Sequence, residues 1–102
     1  DTEIVRSEGR RPGLLSLEFV DDRGGCIKGV QMEFTAPGGE VHRGLNAYDC
    51  RYGTGGPPGE WTVALTPPQG YSLAPGQANP IRVRLRRDET TELRVVLVAA
   101  PR

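Results

Sequence analysis

The sequence predicts an all-β fold: a sandwich of about seven short strands in antiparallel sheets, with little or no helix. Gly (14) and Pro (9) supply many turn formers along 102 residues. Between them the apolar residues fall in short runs that alternate with polar ones, the period of a half-buried strand. No segment combines a 3.6-residue apolar period with helix caps.

The strands follow in order. Residues 1–13, "DTEIVRSEGRRPG", are polar and read as a tail or linker, and residues 14–99 as one β-sandwich domain. "LLSLEFV" sets Leu15, Leu17 and Phe19 on one face, and "DDRGG" turns the chain. "GVQMEFT" is the cleanest strand, with Val30, Met32 and Phe34 opposite Gln31 and Glu33. "APGGE" is a hairpin-type connection. "VHRGLNAY" is a weaker strand, and Gly44 marks a bulge or an edge open to pairing with another chain. "DCRYGTGGPPG" reads as a long irregular loop, its glycines serving positive φ or close backbone packing.

"EWTVALT" carries Trp61, Val63 and Leu65 on one face, so Trp61 reads as core, and a Pro-Pro pair stops each end. "PPQGYSLAPGQANP" is loop or short strand. "IRVRLRR" points Ile81, Val83 and Leu85 inward and Arg82, Arg84 and Arg86 outward. "RDETT" turns, and "ELRVVLVAA" ends the domain with Leu93, Val95 and Leu97 inward. These last two strands are expected to pair, with Arg84 or Arg86 set against Glu92, because a one-residue slip would bury arginines.

Composition bounds the chemistry. The formal net charge is zero, whereas a nucleic-acid module is usually strongly basic, so no nucleic-acid partner is expected. No apolar run approaches 18 residues, so no membrane insertion is expected, and no signal peptide opens the chain. Cys26, Cys50 and His42 are three of the four ligands that a closed zinc site needs, so no metal and no cofactor is expected. The two cysteines are either bridged, which implies an oxidising compartment, or free and buried.

Catalysis lacks its parts. His42 is the one histidine and sits in a strand with no nucleophile motif, so it reads as an exposed strand residue. Asp21–Asp22 and Asp88–Glu89 fall in turns, where carboxylates are usually solvated turn formers. A weak calcium site would draw on Asp21, Asp22 or Asp49, though no EF-hand spacing supports one. Arg82, Arg84, Arg86 and Arg87 form a stripe that either meets an anionic polymer or is partnered by Glu92 and other acids. Among the aromatics, Tyr48 and Tyr52 flank the Gly-rich loop and are the candidate ligand contacts.

Several segments resemble one family. "DDRGGCIKGVQMEF" is similar to the opening of prealbumin-like domains, and "AYDCRYGTGGPPGEWTVAL" to their Thr-Asp turn followed by Pro-Pro-Gly-Glu-aromatic-Thr-Val. "TPPQGYSL" resembles their Pro-x-Gly-Tyr turn, and "IRVRLRRDETTELRVVLV" their closing hairpin. The group includes carboxypeptidase regulatory-like domains and the B repeats of bacterial collagen adhesins (Cna B-like domains), and the match spans about residues 14–99. It implies a seven-stranded Greek-key sandwich. It also raises the isopeptide bond that many adhesin repeats form from a first-strand Lys to a last-strand Asn or Asp. Here the sole lysine, Lys28, falls after the first turn, and "ELRVVLVAA" has neither acceptor, so no such bond is expected. Cys26 stands where the family often has Pro, and a Cys26–Cys50 disulfide is the expected substitute staple, provided the Cα atoms lie within about 7 Å.

The related transthyretin-like hydrolases use more than one His, and the intradiol dioxygenases hold iron with two His and two Tyr. The chain is therefore expected not to be an enzyme. The resemblance implies a non-catalytic β-sandwich module with a structural, spacer or adhesion role in a bacterial secreted or cell-surface protein. Its expected partners are other domains of the same polypeptide or another surface protein. The alternative is a carbohydrate- or peptide-binding accessory domain attached to a hydrolase, with a glycan or peptide as partner.

Overall fold

The computed structural model describes residues 12–99, so the expected tail lies almost wholly outside the described residues. Alternation is visible in the first strand, β1 (Gly13–Asp21), where Leu15, Leu17 and Phe19 are buried and the residues between them are not. Seven more strands follow, β2 (Gln31–Thr35), β3 (Val41–Leu45), β4 (Arg51–Gly56), β5 (Gly59–Thr66), β6 (Tyr71–Leu73), β7 (Ile81–Leu85) and β8 (Thr90–Ala99), and the alternation recurs in β2, β5, β7 and β8. No helix occurs among the described residues.

The strands form two four-stranded sheets, ordered β4-β1-β8-β6 and β3-β2-β5-β7. Their apolar faces meet in one core. Leu15, Leu17, Phe19, Val95 and Leu97 come from the first sheet, and Met32, Phe34, Trp61, Val63 and Leu85 from the second. At roughly 25 cal/mol per Å² of apolar area buried, such a core is the main driving force for the fold. Every inward face read from alternation packs on this core, with Ile81, Val83 and Leu93 only partly buried at its margin.

Three expectations are corrected. The segment read as irregular loop contains β4, which pairs antiparallel with β1 from Gly13↔Gly56 to Glu18↔Arg51 and brings the strand count to eight rather than seven. Its glycines disguise it, because Gly53, Gly55 and Gly56 supply no apolar alternation. None of the three has positive φ. Two of them allow close approach: a Cβ on Gly55 would lie 2.7 Å from the Gly13 carbonyl, and one on Gly56 would lie 2.7 Å from the Trp61 ring.

The sheets are also not wholly antiparallel. β1 and β8 run parallel, in register from Leu14↔Thr90 to Asp21↔Leu97.

Third, β7 and β8 do not pair. β7 pairs with β5, and β8 with β1 and β6. The turn between them crosses from one sheet to the other. The Leu14 amide donates to the Glu89 carbonyl (2.9 Å) and the Asp88 amide to the Pro12 carbonyl (3.1 Å), so β8 starts on β1. Gly13 permits the crossing, since a Cβ there would lie 2.7 Å from Leu85 Cβ and 2.8 Å from the Arg86 carbonyl.

Candidate functional site

The segment leading into β4 has to close one end of the sandwich before it can present anything. Phe19 organises it: its amide donates to the Cys50 carbonyl (2.7 Å), and its carbonyl accepts from the Ile27 amide (3.1 Å). Residues 26–27 and residue 50 therefore approach the same edge of β1. Cys26 and Cys50 meet there in a disulfide, with Cα atoms 5.2 Å apart. That separation lies within the range a disulfide spans.

Asn46 holds the same two segments from inside, a role that sequence reasoning missed. It is the one buried polar side chain among the described residues. Its Oδ1 accepts from the Val30 amide (2.7 Å), and its Nδ2 donates to the carbonyls of Ile27 (2.8 Å) and Asp49 (3.0 Å). A buried amide is tolerated when its capacity is met in this way. Asn79 does comparable work at the end of β5, where its amide donates to and its carbonyl accepts from the Leu65 backbone (3.0 and 2.9 Å).

The tyrosines that flank the Gly-rich segment are not equivalent. Tyr48 is 93% exposed. Tyr52 is half-buried on the inward side of β4, and its ring stacks on Phe34 with centroids 5.8 Å apart. It also covers Gly44 of β3, where any Cβ would collide with the ring. Gly44 therefore lies on an edge strand, as one of its two sequence readings had it, and the edge is closed by an aromatic from the other sheet.

Trp61 is core, and its indole Nε1 donates to the Pro57 carbonyl at 2.9 Å. His42 is exposed on β3, with Nε2 3.6 Å from Glu40 and its ring 6.4 Å from that of Trp61. Lys28 is exposed, and the fully buried residues of β1 and β8 are all apolar, so no lysine meets a carboxyl or amide in the described core.

The charged residues divide by sheet. On the outer face of the first sheet Glu18 lies between Arg51 (3.7 Å) and Arg94 (3.8 Å), which are its register partners on β4 and β8. On the second sheet Arg43 pairs with Glu33 at 3.3 Å. Arg82 and Arg84 face out from β7, opposite Thr62 and Glu60. Glu92 lies in the other sheet, opposite Ser16, and cannot partner this stripe as the expected hairpin required. Asp21 organises the first turn. Its Oδ1 accepts from the amides of Gly25 (2.7 Å) and Arg23 (2.8 Å), and these bonds hold its carboxyl below the ordinary value of 3.8. Among the described residues no three His, Cys, Asp or Glu side chains cluster as a metal site would require.

A shallow groove of about 610 Å³ runs along the outer face of the second sheet, lined by Gln31, Glu33, Arg43, Leu45, Ala64 and Thr66 among others. It holds no aromatic side chain and no pair of acid and base groups arranged for catalysis.

No protein-family model matches the chain, and no curated protein matches it. Solved structures do. The TIE protein of Bacillus anthracis matches with a TM-score of 0.75 and 17% identity, over 88% of this chain and 17% of that one. GBS52, the minor pilin of Streptococcus agalactiae, matches with a TM-score of 0.75 and 14% identity, over 91% of this chain and 47% of that one. BcpA, the major pilin subunit of Bacillus cereus, matches with a TM-score of 0.65 and 14% identity, over 88% of this chain and 31% of that one. At such identities the likeness is one of fold, and the chain spans less than half the length of each of these proteins. The prealbumin-like, Cna B-like sandwich that the sequence motifs resemble is the fold of this chain.

Proposed function

We propose that this chain is a non-catalytic spacer module of a bacterial secreted or cell-surface protein, with residues 14–99 as its folded unit. One observation carries the reading. β1 and β8 lie side by side and parallel, so the chain enters the sandwich at one pole and leaves it at the other. The ten residues of β8 span about 33 Å at 3.3 Å per residue, which sets the reach each module adds. The matching pilin domains and the absence of a second histidine to assist His42 favour a structural role over a catalytic one. The disulfide suits an oxidising compartment outside the cytoplasm. The partners would be neighbouring domains of the same polypeptide or another surface protein.

Small-angle scattering on one, two and three tandem copies tests this. The maximum dimension should grow by about 30 Å or more with each copy. Copies that fold back into a compact particle would overturn the reading.

The exposure of Tyr48 favours a second reading, in which the module also contacts a glycan or peptide through that ring, with Tyr52 fixing the loop behind it. A glycan and peptide array probed with the chain and with Tyr48→Ala separates the two: a signal lost in the variant supports contact, and a blank array leaves the spacer alone.

A further inference from the structure

We propose that the outward arginines of β7 and its following turn, Arg82, Arg84 and Arg86, bind a linear anionic glycopolymer bearing sulfate or phosphate esters. β7 and β8 lie in different sheets. Had the two paired, Glu92 would have stood against this stripe. Instead Glu92 faces out from the other sheet, opposite Ser16. None of the three arginines has an ion pair within 4 Å among the described residues, whereas Arg43, Arg51 and Arg94 each have one. In a chain of zero net charge, positive charge has been gathered on one edge with a single acidic neighbour across the register, Glu60, and no ion pair to it within 4 Å.

The geometry suits an extended polymer. β7 is an edge strand, so its outward side chains form the rim of the sheet and are open to solvent. Alternate residues put Arg82 and Arg84 about 7 Å apart on one line, and Arg86 continues the same parity into the turn. Below them an open cleft of about 700 Å³ is lined by Pro58, Gly59, Arg84, Leu85, Arg86 and Arg87. Glu60, opposite Arg84, is the one acidic register partner of β7. Arginine's planar fork matches the paired oxygens of a sulfate or phosphate ester better than an ammonium does. Charges also deter edge-to-edge strand pairing, but that purpose does not call for arginine at every outward position.

The full chain is titrated with heparin, which carries sulfate, and with poly(glycerol phosphate) teichoic acid, which carries phosphate. Single-stranded DNA serves as the competing polyanion. The triple variant Arg82→Ala, Arg84→Ala, Arg86→Ala is compared with Arg43→Ala, Arg51→Ala, Arg94→Ala, which removes the same charge from the paired sites. Thermal melts establish that both variants fold. The proposal expects binding to heparin, teichoic acid or both, and their relative affinities identify the ester preferred. Loss of the edge arginines should weaken binding at least tenfold at about 100 mM salt and flatten log K against log salt by roughly 2, at about 0.7 per lost contact. The control triple should bind as the parent does. No binding to either glycopolymer, equal loss in both triples, or tighter binding to DNA than to both glycopolymers would overturn it.

Discussion

Gly44 and Tyr52 show how one residue in each sheet closes the side of the sandwich. The ring of Tyr52 occupies the space that a side chain at Gly44 would need, and it stacks on Phe34. Gly44→Ala should destabilise the fold by about 1–3 kcal/mol, the usual effect of overpacking. With Tyr52→Ala already present the same change should do much less. A double-mutant cycle by urea denaturation should return a coupling of about 1–2 kcal/mol, and additive effects would show that the contact does not matter. Asn46→Ala strips partners from the Val30 amide and from two carbonyls, and should lower stability by about 3 kcal/mol. Asp21 sets a pH dependence. Its carboxylate is favoured in the folded state by two backbone amides, so its folded pKa lies below its unfolded one. That stabilisation is complete above the ordinary value of 3.8 and fades as pH falls through the folded pKa. Denaturation curves collected below about pH 4 should therefore lose stability less steeply in Asp21→Asn than in the parent chain.

At the scale of elements, the disulfide and Asn46 bind the same pair of segments, residues 26–30 and 46–50, by different chemistry. The cysteines are 24 residues apart, so the bridge removes unfolded-state entropy worth about 3–4 kcal/mol in the chain-entropy model. Cys26→Ser with Cys50→Ser should lower the urea midpoint correspondingly, with the m-value showing whether the denatured state has expanded. Which side of a strand faces inward was legible because alternation is local: Leu15, Leu17 and Phe19, or Trp61, Val63 and Leu65, announce themselves. Which strands are neighbours was not. β7 and β8 share a short turn and matching periods, and a hairpin follows naturally from those alone. The crossing depends on Gly13 and on the hydrogen bond from Leu14 to Glu89, contacts from the far end of the domain. β4 escaped for a related reason, since Gly55 and Gly56 are dictated by Gly13 and Trp61 rather than by their own pattern. At the candidate sites, the bridge between Cys26 and Cys50 was legible and the role of Asn46 was not, because Asn46 read as part of the strand "VHRGLNAY" and no local pattern marks an asparagine that will be buried. The arginine stripe was visible in sequence, but its separation from Glu92 follows from the topology.

For the molecule as a whole, the parallel pairing of β1 and β8 has a mechanical consequence. A pull on the two ends of the domain drags β1 and β8 past one another along their length. Their ladder hydrogen bonds run across that direction and must all yield together, rather than opening one after another like a zip. The module should therefore resist stretching until it fails abruptly. The disulfide then limits what is released, since the chain between Cys26 and Cys50, with β2 and β3 in it, stays looped while the rest extends. In single-molecule stretching, reductant should lengthen the unfolding step by roughly 80 Å, at 3.3–3.6 Å for each freed residue. An unchanged step would mean that the bridge lies outside the path of the load. The two cysteines then act as a tether that sets how far a strained module can open while still holding what lies on either side of it.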